Sequence, residues 1–176
     1  GQYPSLHGVS QTDGVAKSAF DPDMFWLDLH TVPTIGDYFR LAGYQTFWKG
    51  KWHASQADII IPGTHDSFLS YNSDSGVPVP KNERLYERAN NLREYGFDAW
   101  VGPEPHGSNP RNSGSSAAKG ISGRDVVYKK QAVDLIRKLD LEYADTPEKK
   151  RRPWFIMCSF VNPHDIAIFG AASQRS

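Results

Sequence analysis

Apolar and polar positions along the chain alternate in a way that marks three ordered stretches and a long irregular one. The first begins at Thr34. Ile35, Tyr38, Phe39 and Ala42 recur at the i, i+3, i+4, i+7 spacing of one helical face. Thr34 before them and Asp37 three residues on have the form of a capping box, and Gly43 supplies a left-handed stop. Tyr44-Gln45-Thr46-Phe47-Trp48, aromatic and β-branched, predicts a strand immediately after this helix. A second helix is predicted over Arg124–Leu139. There Val126, Val133, Ile136 and Leu139 lie close to one stripe, with Ala132 beside it and Lys129, Lys130, Arg137 and Lys138 on the outer side. The third stretch, Trp154 to Val161, is a continuous apolar run that suits a strand covered on both faces, as in a parallel sheet. Helix followed by strand predicts the α/β class.

Between these elements the order is weaker. Residues 1–33 are polar and turn-rich, and prolines punctuate residues 58–122, where one short helix is expected around Glu83–Tyr95. A loop region of this length in a compact domain usually has a function or is disordered. The reading adopted is a single domain over residues 1–176 with 58–122 as a loop-rich, substrate-side insertion. Twenty basic residues balance twenty acidic ones, so no global field draws the chain to nucleic acid or to a membrane surface. Any anion site must therefore be local. No segment approaches the ~20 apolar residues needed to span a bilayer. The single cysteine, Cys158, excludes an intramolecular disulfide and a Cys-based metal site, and reads as a small core residue. Nothing in this composition points to a compartment. A start without Met, and a polar tail after an apolar stretch, lead to the expectation of a chain truncated at both ends.

Candidate chemistry gathers at the two predicted strand ends. Lys51 and His53 follow the first strand, and an i, i+2 spacing in extended chain aims both side chains to one side. Gly50 lets backbone approach a ligand closely. In open α/β sheets, ligands bind at the carboxyl ends of the strands. An ammonium and an imidazole converging there suit a sulfate or phosphate group and the charge that develops in its transfer. The plainer alternative is a solvated lysine and a histidine capping a loop carbonyl. His164, in Asn162-Pro163-His164-Asp165, occupies the corresponding place after the second strand, with a buried structural histidine as its alternative. His7 is expected to stabilise a turn, His65 and Asp66 to face solvent, and Lys149-Lys150-Arg151-Arg152 to form a solvated turn. Gly102-Pro103-Glu104-Pro105-His106-Gly107 is expected to be a rigid surface loop.

Several segments, in order, resemble the sulfatase family of the alkaline-phosphatase-like superfamily. Gly1-Gln2-Tyr3-Pro4 with His7-Gly8-Val9 resembles the stretch after the family's nucleophile motif. Pro33 to Phe39 with Ala42-Gly43-Tyr44 resembles its next helix, which runs into Gly50-Lys51-Trp52-His53. Tyr95-Gly96-Phe97-Asp98-Ala99-Trp100-Val101-Gly102 resembles its Gly-Phe-Asp segment and Asn162 to Asp165 its later histidine motif. Of these, Gly-Lys-Trp-His is the specific one.

The resemblance implies a partial sulfatase fold, mainly a parallel sheet flanked by helices, and a parent enzyme that hydrolyses small-molecule or carbohydrate sulfate esters. It implies that Lys51 contacts nucleophile and sulfate, that His53 stands beside a hydrated formylglycine, and that His164 binds sulfate and assists the leaving oxygen. The parent would also hold a divalent cation, usually calcium. The Cys/Ser-x-Pro/Ala-x-Arg motif that yields formylglycine does not occur here, and the family's metal-binding acids have no match. The chain by itself is therefore expected to bind no metal and to be inactive. A phosphonate monoester or phosphodiester hydrolase of the same superfamily, or a non-catalytic anion-binding relative, fits the same residues.

Overall fold

The computed structural model describes residues 3–9, 25–105, 114 and 120–162. In chain order the elements are a one-turn helix α1 (Pro4–His7), α2 (Ile35–Leu41), β1 (Gln45–Gly50), α3 (Pro80–Ala89), a 3-10 turn (Arg93–Tyr95), α4 (Arg124–Asp145), a second 3-10 turn (Glu148–Lys150) and β2 (Trp154–Ser159). The class is mixed α/β, with β1 and β2 paired in parallel from Gln45↔Trp154 to Gly50↔Ser159.

Helix α2 starts as its sequence predicts. The Thr34 hydroxyl accepts from the Asp37 amide at 3.3 Å, and the Thr34 amide donates to the Asp37 carboxylate at 2.8 Å. Gly43, at φ +91°, takes the left-handed position after the helix. The buried face differs from the predicted one, because Ile35 and Tyr38 remain exposed. Phe39 faces inward as expected, but with Gly36 and Arg40 rather than Ile35 and Tyr38. A Cβ on Gly36 would meet Gly96 O at 2.4 Å, Phe39 stacks on Phe155 at 4.0 Å, and Arg40 pairs with Asp98 at 2.9 Å. A backbone contact at two glycines sets the rotation of the helix, and apolar side chains left outside are an ordinary feature of protein surfaces.

β1 runs further than expected, through Lys49 and Gly50. Its second edge is also paired: the Trp48 amide donates to Asp98 O at 3.2 Å and the Asp98 amide to Thr46 O at 2.9 Å. The Gly96-Phe97-Asp98 segment thus serves the fold. Gly96 allows contact with α2, Phe97 is buried, and Asp98 anchors Arg40. β2 is only half-buried, less covered than its apolar run predicts, although α4 lies against the strands and Phe39 of α2 stacks on Phe155.

Helix α4 extends to Asp145 and buries only part of the expected stripe, Leu139 with Ala132 beside it. Val127, Tyr128, Ala132 and Leu139 are buried, whereas Val126, Val133 and Ile136 are exposed. Two overlapping apolar stripes exist in this sequence. The sheet selects the one carrying Tyr128, whose ring edge comes within 3.2 Å of where a Gly50 Cβ would stand.

The expected helix over Glu83–Tyr95 is instead α3 plus the 3-10 turn, broken at Asn90. That residue sits at φ +49°, its amide NH₂ donating to Asp98 at 2.6 Å and its oxygen accepting from the Ala99 amide at 3.2 Å. Within residues 58–122 lie most members of the main core: Tyr86, Leu92, Phe97, Trp100 and Val101 join Ala57, with Trp48, Trp52, Phe155 and Met157 packed against them. Among the described residues no helix is long and apolar enough to cross a membrane.

Candidate functional site

Backbone geometry at the end of β1 is fixed group by group. Gly50 lies at φ +97°, and a Cβ there would meet Ser159 O at 2.0 Å, so only glycine fits. Its carbonyl accepts from the Trp100 indole at 2.9 Å. The Lys51 amide donates to Ser159 O at 2.9 Å and its carbonyl accepts from the Trp48 indole at 3.0 Å. The next two amides, of Trp52 and His53, both donate to Oε1 of Glu104, at 2.8 and 2.7 Å. The Trp52 indole donates to Ser55 at 2.8 Å, and the Ala54 carbonyl accepts from the Leu27 amide at 2.8 Å.

Lys51 and His53 therefore follow the strand, as expected, but not in extended chain. His53 is left-handed at φ +50°, so the backbone turns there rather than continuing as extended chain. Both residues are half-buried. The His53 ring lies 5.6 Å from that of Trp26, tilted by 49°.

Glu104 is the residue that sequence reasoning missed. Residues 102–105 are buried rather than forming the expected surface loop, while His106 and Gly107 lie outside the described residues. Burial pushes the Glu104 carboxyl up to about 8. The hydrogen bonds from His53 and Trp52 and the charge of Lys51 oppose that rise, and Asp58 adds to it. The Glu104 amide is itself held by Asp58 at 2.9 Å, and Asp58 accepts from Ser67 at 2.6 Å. On the far side, Tyr128 is buried and its phenol pushed well up, by burial first and by Glu104 second.

A second carboxylate does the same work after β2. Asp125, in the first turn of α4, accepts from the Val161 amide at 2.6 Å and the Asn162 amide at 3.1 Å. Since β1 and β2 are parallel neighbours, both clamped segments leave from the same end of the sheet. His164 lies outside the described residues.

The remaining expected residues are placed elsewhere. His7 Nδ1 accepts from the Val9 amide at 3.2 Å, closing a local turn. His65, Asp66 and Lys149 to Arg152 are exposed. Cys158 is half-buried, and burial raises its thiol. Lys49 is buried in β1, its ammonium donating to Ala99 O at 2.5 Å and its pKa lowered by burial. A cavity of about 420 Å³ lies among His30, Thr34, Asp37, Arg40, Arg93 and Glu94, and neither Lys51 nor His53 lines it.

Among the described residues no three His, Cys, Asp or Glu side chains are grouped to hold a metal ion. Oε1 of Glu104 and both oxygens of Asp125 accept backbone amides, which is not the open set of six to eight oxygens that calcium takes. The sequence matches no family model, and neither a curated protein nor a solved structure matches it.

Proposed function

We propose that the chain is part of a sulfatase-type hydrolase that cleaves small-molecule or carbohydrate sulfate esters. Lys51, His53 and His164 would hold the sulfuryl group or assist proton transfer. One observation carries the reading: the Gly50–His53 turn has its backbone groups tied internally, at the carboxyl end of a parallel strand, while its two side chains are cationic or able to become so. Such a preorganised turn costs no rearrangement when negative charge develops on a transferred group. Lys51 would balance the charge of sulfate and nucleophile. His53, fixed through its own amide, would exchange a proton beside them.

The resemblance puts the formylglycine nucleophile and the calcium ligands outside this chain. The test is an assay of the polypeptide from the complete reading frame on aryl sulfate and on aryl phosphonate, with Lys51→Ala alongside. Preferential sulfate turnover lost in the variant supports the reading. Preference for phosphonate moves the protein to the rival hydrolase class, since both groups are tetrahedral oxyanions that Lys51 and His53 do not distinguish. If neither ester is turned over, and no Cys/Ser-x-Pro/Ala-x-Arg motif precedes Gly1, the chain is a non-catalytic relative. The 176-residue chain alone is expected to turn over no aryl sulfate.

A further inference from the structure

His53 is a non-glycine residue in left-handed backbone, a state that persists where its surroundings hold it. Its amide is held by a buried carboxylate oxygen. Glu104 Oε1 receives the amides of Trp52 and His53 together, and two successive amides aimed at one point form a small anion-binding concavity in the backbone. The other oxygen, Oε2, is buried and has no hydrogen-bond partner among the described residues. A proton on Oε2 would relieve the burial of charge and leave Oε1 accepting both amides. The groups facing this carboxyl are the two amides, Lys51 of the turn, Asp58 of the preceding loop and Tyr128 of α4. Only Lys51 among them is cationic.

We propose that Glu104 is a positioning residue whose neutral form lets the Lys51–His53 turn accept an anion and whose ionised form turns the anion away. The proton is exchanged with solvent, and the clamp on the two amides persists in both states. Ionisation places a negative charge directly behind the amides of the turn and within the field of Lys51, where it competes with any external anion for that ammonium. The burial that favours the neutral form has already been described, and it places the change near pH 8. The anion half of this proposal rests on the reading of Lys51 and His53 given above, whereas the clamp does not.

Amide spectra of the 176-residue chain, of Glu104→Gln and of Glu104→Ala, recorded from about pH 6 to 10 with and without inorganic sulfate at constant ionic strength, test it. Sulfate keeps the same charge across this range, so any change in affinity belongs to the protein. In the wild type the Trp52 and His53 amides should move together near pH 8, and sulfate affinity should fall about tenfold across that step. Glu104→Gln retains an acceptor oxygen and should show neither change. Glu104→Ala should release the Trp52 and His53 amides to solvent exchange while the Leu92 and Phe97 amides stay protected. Wild-type amides that do not titrate, a titration that survives in Glu104→Gln, or titrating amides with a flat sulfate affinity each overturn the proposal. If sulfate shifts neither Lys51 nor His53 at any pH, the anion reading itself falls, and the amide titration still decides whether Glu104 is the clamp.

Discussion

Gly50 and Ser159 end the parallel ladder as Cα partners, and the Ser159 carbonyl occupies the space that a side chain on Gly50 would need. The same carbonyl accepts the Lys51 amide, so the contact that demands glycine also starts the turn. Gly50→Ala should therefore be severe. The clash at 2.0 Å is with backbone and φ is +97°, so both strand pairing and turn must shift. The expected loss is about 3 kcal/mol or more, read as a lower urea midpoint and a weakened near-ultraviolet signal from the surrounding tryptophans. An unchanged midpoint would show that the strands do not meet as described.

Trp100→Phe tests the next bond of the turn. It keeps an aromatic ring in the core but removes the indole donor to Gly50 O, leaving a buried carbonyl unpaired. A loss of about 1–3 kcal/mol is expected, with the Gly50–His53 amides exchanging faster than those of α3. Equal acceleration throughout would mean that the ring, not its N–H, carries the effect.

Asp125 and Glu104 are alike in form and differ in how readable they were. The Thr34 and Asp37 capping box was legible because its partners lie three residues apart, and the strands were legible from their composition. Glu104 acts on an amide 52 positions away and Asp125 on one 36 away, so no local pattern marks either. The flanking prolines of Glu104 suggested rigidity but not burial. Helix α4 was legible in part: Leu139 and Ala132 are buried as read, but Val127 and Tyr128 are buried where Val126, Val133 and Ile136 were expected. Only contact with the sheet separates the two sets. Lys51 and His53 stand out in the sequence because chemistry, unlike packing, singles out residue types. The left-handed φ of His53 was not legible, because its amide is held by Glu104, 51 positions away.

For Asp125, the expectation is a local loss. Asp125→Ala removes both acceptors of the Val161 and Asn162 amides, and about 2 kcal/mol should go with them. Asp125→Asn keeps one acceptor oxygen and should lose roughly half as much. Hydrogen exchange at Val161, buried and held at 2.6 Å, is the direct measurement. Protection that survives Asp125→Ala would remove the second clamp.

The pH dependence of stability follows from Glu104. In the unfolded chain the carboxyl titrates near 4.5, and in the folded chain near 8. Between these values the folded chain holds a proton that the unfolded chain has released. Stability is then fully present below the lower value, falls as pH rises through the window, and levels off above the higher one. Lys49 contributes with the opposite slope at the basic end, because its depressed folded pKa makes the unfolded chain the better proton binder there. The difference between the wild type and Glu104→Gln isolates the carboxyl from this and from other titrations. Urea midpoints taken between about pH 4 and 9 should fall more steeply in the wild type than in Glu104→Gln. Parallel curves would mean that Glu104 is ionised in the folded chain at neutral pH. Its two amide bonds would then outweigh its burial, and the turn would carry a fixed negative charge behind Lys51 at every pH of interest.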